Sequence, residues 1–113
     1  MAGKSDTHKT VSNVNIRALA LDILIAEEKG EGKIDKLLKA VLDKYDYLDA
    51  SDKNFLKRLT EGTVEYRIKL DYVIDGFSKT PVAKMKPLIR QIMRVSVYQI
   101  LFMDRVPDNA VCD

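Results

Sequence analysis

After its first thirteen residues the chain carries apolar positions at intervals of three and four, the spacing that places side chains on one face of a helix. Ile16, Leu19, Ala20, Ile23 and Leu24 form the first stripe, with Arg17, Asp22, Glu27 and Glu28 off it, and Gly30 ends it. Beyond the two helix-breaking glycines of GEGK, Ile34, Leu37, Leu38, Val41, Leu42 and Tyr45 repeat the spacing and predict a second helix, antiparallel to the first. DYLDASD, residues 46–52, reads as a loop in which Asp49 or Ser51 is placed to cap the next helix by accepting an orphaned backbone N–H. Phe55, Leu56, Leu59, Thr63, Tyr66, Leu70, Val73, Ile74 and Phe77 then predict one long third helix of about seven turns. Gly62 lies inside it, where close packing or a slight bend explains a residue that costs about 1 kcal/mol relative to Ala. Pro81 disfavours helical geometry at Thr80 and closes the segment.

Pro87 stands where a first helical position belongs, and Leu88, Ile89, Ile92, Met93, Val95, Val97, Ile100, Leu101 and Phe102 follow. Apolar residues take most of this helix's circumference, with Arg90, Gln91, Arg94 and Tyr98 as its one polar sector, so the pattern predicts a helix in the middle of a bundle. Val106 and Pro107 close it, and DNAVCD, capped by Asp108 or Asn109, reads as the opening turn of a further helix. The chain is therefore expected to be a piece of a longer protein. Nothing in the pattern predicts a strand, and the fold class is all-α.

A length of 113 residues fits one domain with a core of its own. Residues 1–13 mix Gly, Ser, Thr, Asp and Lys with almost nothing to bury and are expected to form a disordered leader, which leaves 14–113 as the domain. That leader lacks the apolar stretch of a signal peptide, and no run approaches the length of a membrane span. The single cysteine, Cys112, and single histidine, His8, offer neither a disulfide framework nor a zinc cluster, and this composition points to a reducing, cytoplasmic setting. Lys plus Arg exceed Asp plus Glu by 19 to 17, so any affinity for nucleic acid must come from where the cations sit.

Candidate catalytic chemistry is thin. The GEG of residues 30–32 has neither the spacing nor the preceding strand of a phosphate loop. Acidic pairs such as Glu27 with Glu28 and Asp43 with Asp46 read as solvated helix surface, and Cys112 has no base near it in sequence. Basic patterning is what remains. Lys86, Arg90 and Arg94, spaced by four and four, form a row on the last helix; Arg58, Arg67 and Lys69 lie on the third, Arg17 on the first, and Lys79, Lys84 and Arg105 near the ends of the last. Two readings stand side by side. Guanidinium groups can grip phosphates and stack on unpaired bases, which suits looped or single-stranded RNA; the same arginines can instead pair with Asp71, Asp75, Glu61 or Glu65 of this chain.

The segments NIRALALDILIAEEKGEG, SDKNFLKRLTEGTVEYRIKLDYVIDGFSK and MKPLIRQIMRVSVYQILFMDRVPDNAVCD, in that order, resemble the NusB-like helical domain. The version they are most similar to is the one at the N-terminus of the Sun/Fmu family of ribosomal RNA cytosine-5 methyltransferases, over about residues 14–113. The most specific stretch holds Met93, Arg94, Tyr98, Gln99, Ile100, Leu101, Phe102, Asp104, Arg105, Val106 and Pro107; Arg17 with Ala20, Gly62, and Leu70 with Asp71 match elsewhere.

The resemblance implies a NusB-like antiparallel bundle of about four to five helices, truncated at its C-terminus. It implies an RNA-binding module for ribosomal RNA, with Arg17, Arg58, Arg67, Lys86, Arg90, Arg94 and Arg105 as contact residues and no catalysis within this fragment. In that family a separate Rossmann-like domain binds S-adenosylmethionine and supplies the catalytic cysteines, so no cofactor is expected here. Free-standing NusB proteins resemble the same helices and imply the alternative, an antitermination protein that binds RNA jointly with a ribosomal protein. Truncation itself would expose core surface and favour self-association.

Overall fold

The computed structural model describes residues 14–103, which form five α-helices and no strand. They are α1 (Ile16–Glu28), α2 (Ile34–Lys44), α3 (Ala50–Glu65), α4 (Arg67–Phe77) and α5 (Pro87–Tyr98), with a short 3₁₀ turn at Val82–Lys84 and a π turn at Gln99–Met103. The leader, the closure at Val106 and Pro107, and the further helix expected from DNAVCD lie outside the described residues.

Local chemistry sets most boundaries. Asn15 opens α1, its side-chain oxygen accepting the Ala18 N–H at 3.0 Å. Gly30, at φ +80°, closes it, with Gly30 N–H donating to the Glu27 carbonyl and Glu31 N–H to the Ala26 carbonyl. Those paired bonds require a left-handed residue that glycine adopts without a Cβ clash. Of the two caps foreseen for the third helix, Asp49 takes the role, accepting the Asp52 N–H at 2.8 Å. Pro87 is the first residue of α5, where its missing N–H leaves no bond unmade.

α1 packs against α2, α3 and α5, and α5 packs in turn against α3 and α4. Ile16, Ala20, Ile23 and Leu24 of α1 meet Leu56 and Leu59 of α3, Leu70 and Ile74 of α4, and Val95, Val97 and Tyr98 of α5 in one core. Leu56, Leu59 and Leu70 are wholly buried, so truncating any of them to Ala is expected to cost about 2–5 kcal/mol.

Two expectations are corrected. The single long third helix breaks at Tyr66 (φ −102°, ψ 20°), giving α3 and α4. The chain keeps its Tyr66 N–H to Gly62 and Leu70 N–H to Tyr66 bonds across the break, so it bends without unravelling, and both halves reach α5. Phe77, placed in that helix's apolar stripe, ends up 60% exposed.

The second correction concerns α5. Its polar sector faces inward: Gln91, Arg94 and Tyr98 are buried, whereas Leu88, Ile89 and Ile92, and Ile100 and Leu101 of the π turn that follows, are exposed. Burial of polar groups costs least where they find partners: Glu28 accepts from Gln91 Nε2 and Asp71 from Arg94, the notch at Gly62 gives the Tyr98 ring room, and Gln91 Oε1 is left without a partner.

Candidate nucleic-acid interface

The arginines divide by what they touch. Arg94 Nε and Nη2 donate to the two oxygens of Asp71 at 2.7 and 2.8 Å, a bidentate pair tying α5 to α4, with the Arg94 side chain only 9% exposed. Arg90 donates through Nε to the Val82 carbonyl at 2.9 Å and through Nη2 to the carbonyls of Met85 and Ala83 at 2.6 and 3.1 Å. Its Nη1 also pairs with Glu28. Arg90 thus stitches the 3₁₀ turn and the end of α1 to α5. Arg67 makes a looser pair with Glu27 at 3.4 Å.

Glu27 and Glu28 are therefore half-buried ion-pair partners, contrary to the solvated surface expected of them. Glu28 also accepts from Gln91 Nε2 at 2.6 Å. The sequence did carry a hint: two carboxylates in the last turn of α1, with no basic residue there, sit against the helix dipole unless a cation from elsewhere balances them.

Arg17, Arg58 and Lys86 are exposed, and none forms an ion pair among the described residues. Arg17 stands on the first turn of α1 and lines a shallow cavity of about 100 Å³ with Leu21, Ile92, Val95 and Ser96. Lys86 immediately precedes α5 and Arg58 lies midway along α3. Arg105 lies outside the described residues. The row foreseen as Lys86, Arg90 and Arg94 is thus split, with Lys86 in solvent and both arginines turned inward.

Sequence patterning missed two surface features. One is the exposed apolar side of α5, which the pattern assigns to the bundle interior and the structure turns outward. The other is an aromatic group where the bend after Glu65 brings Tyr66 onto Phe102, their rings stacked at 4.4 Å, with Tyr98 5.2 Å from Phe102. The Lys69 ammonium lies 5.7 Å from the Phe102 ring centre. Among the described residues no three His, Cys, Asp or Glu side chains gather as a metal site, and no helix is long and apolar enough to cross a membrane.

The sequence model of the NusB family matches residues 14–113. The chain is similar to the probable ribosomal RNA small subunit methyltransferase B of Bacillus subtilis, 33% identical over 100 residues that make up 88% of this chain and 22% of that protein. The corresponding protein of Synechocystis is 29% identical over 97 residues, again 22% of its length. It is similar also to the transcription antitermination protein NusB of Geobacter sulfurreducens, 32% identical over 94 residues, 82% of this chain and 68% of that protein. No solved structure matches it significantly. The chain spans about a fifth of the length of the methyltransferases it matches.

Proposed function

This chain belongs to the NusB family, and we propose that it is the RNA-binding module of a ribosomal RNA small subunit cytosine-5 methyltransferase. One observation carries the reading: the likeness to the two methyltransferases extends over 88% and 86% of this chain but only 22% of each of theirs. What they share with it is a unit distinct from most of the enzyme. In this reading S-adenosylmethionine and the catalytic cysteines belong to a separate domain, and the helices position that domain on ribosomal RNA in the cytoplasm.

Within the module Arg17, Arg58 and Lys86 are the groups poised to meet phosphates, because they are exposed and unpaired among the described residues. Arg105 joins them by its family position. Arg90 and Arg94 serve recognition indirectly by holding α5 in place, and Arg67, one-third exposed, stands between the two roles.

A second reading is the antitermination type, in which RNA is bound jointly with a ribosomal protein. The Geobacter relative, two-thirds covered, and the apolar side of α5 favour it. Binding of fluorescein-labelled small-subunit ribosomal RNA segments across a salt titration separates the two. Direct binding predicts that changing Arg17, Arg58 and Lys86 together to Gln weakens affinity and flattens the slope of log K against log salt by about 0.7 for each phosphate no longer neutralised. A folded protein that binds no segment at low salt would point to protein docking instead.

A further inference from the structure

We propose that Tyr66, Lys69 and Tyr72 form a platform on which unpaired RNA bases stack. The proposal rests on the RNA-binding reading and names the part of the nucleic acid it grips. It starts from an anomaly: Tyr72 is 81% exposed and Ile68, one turn before it, 88%, although neither belongs to the apolar side of α5. Solvent-facing tyrosines gain nothing from the core, while an aromatic face gains by stacking on a base whatever the base's identity.

The geometry is ordered along α4. Tyr66, at the break that precedes α4, and Tyr72 are six residues apart, about 9 Å along the axis and about 120° around it, and Lys69 lies midway, about 60° from each. Two aromatic faces with an ammonium between them fit two splayed bases and the phosphate that joins them. Tyr66 is held ready for this by the bend. Its ring stacks on Phe102 at 4.4 Å and 22°, in a cluster that Tyr98 completes, and the residue is still 37% exposed, which leaves ring surface for an incoming base. The Lys69 ammonium lies 5.7 Å from the Phe102 ring centre, within cation–π range, which holds it beside the stack.

The acidic groups of α4 do not compete strongly. Asp71 is held by Arg94, and Asp75 accepts the Val82 N–H at 2.8 Å. Glu65, exposed one turn before Lys69, nearly balances its charge. Affinity at this face therefore comes mainly from stacking, with one phosphate at Lys69, and depends less on salt than the phosphate contacts of Arg17, Arg58 and Lys86.

The test compares a short fluorescein-labelled single-stranded oligoribonucleotide with the same sequence as a blunt duplex, using the wild-type chain, Tyr72→Ala and Tyr72→Phe. Tyr72 is exposed enough that its change leaves the fold intact. Tyr72→Ala should raise the single-strand Kd about tenfold while leaving the duplex Kd and the salt slope unchanged, and Tyr72→Phe should bind as the wild type does. Wild-type affinity in Tyr72→Ala, with the Arg17, Arg58 and Lys86 variant still weakened, overturns the platform and spares the RNA reading. Equal loss on the duplex, or loss in Tyr72→Phe, also overturns it. No RNA binding by the wild type removes both.

Discussion

Gly62 of α3 and the ring of Tyr98 in α5 fit together with no room for a methyl group between them: a Cβ on Gly62 would overlap the Tyr98 ring and hydroxyl. The glycine that looks like a flaw in a helical stripe is the notch that lets α5 approach with a buried tyrosine, whose ring then lies 5.2 Å from Phe102 and 6.3 Å from Tyr66. Gly62→Ala is accordingly expected to destabilise the domain by about 1–3 kcal/mol in chemical denaturation, as overpacking does, despite the higher helix propensity of Ala. The same change in a Tyr98→Leu background should cost measurably less, and an equal cost in both backgrounds would show that the notch is not the reason for the glycine.

Arg94→Gln removes a guanidinium that fills both oxygens of Asp71 and leaves that carboxylate partly desolvated. Breaking a buried pair costs about 3–5 kcal/mol, and the 28% exposure of Asp71 places this one near the lower end. Urea unfolding should show a loss of about 3 kcal/mol. Lys at 94 should recover only part, because a single ammonium does not reproduce the two parallel bonds; full recovery would mean that charge alone matters.

Arg90 holds three carbonyls of residues 82–85 as well as Glu28, so its loss acts locally before it acts globally. Arg90→Gln is expected to speed amide exchange at Lys84 and Met85, whose N–H groups donate to Pro81 and Val82 in the turn that Arg90 braces, while Leu56 and Leu59 in the core change far less. Uniform acceleration across the domain would indicate global destabilisation in place of a local clasp.

Asp49→Ala should lower stability by about 1 kcal/mol by orphaning the Asp52 N–H, whereas Ser51→Ala, two residues later and without a capping bond, should be nearly neutral in the same thermal melts. The reverse order would shift the start of α3.

The exposed apolar side of α5, continued by the π turn after it, makes a prediction about association. Ile100 is 65% exposed, so Ile100→Asp removes apolar surface from solvent without opening the core. If self-association uses this side, sedimentation should show the concentration-dependent larger species diminished and the helical circular dichroism unchanged; an undiminished species would place the contact elsewhere.

How much was legible before the fold was known differs by element. Local rules sufficed for α1, α2 and the starts of α3 and α5, because a stripe at three-and-four spacing, an Asp at the cap, a glycine past the end and a proline at the first turn act within a few residues of themselves. The class of fold followed from the same signals, and the NusB resemblance came from ordered short patterns that need no knowledge of tertiary packing. The break at Tyr66 was not readable, since the apolar period runs through it unbroken; α3 and α4 both pack on α5 across it.

The tertiary structure decided which way α5 faces and what each arginine does. An Arg on a helix surface and an Arg clamped by Asp71 look identical in a sequence whose two partners lie 23 residues apart, and Glu28 is 62 residues from Arg90. Periodicity tells which side chains share a face; it does not tell whether that face meets water or a carboxylate brought from another helix. That choice belongs to packing, because a charge is buried only where its partner has already been placed.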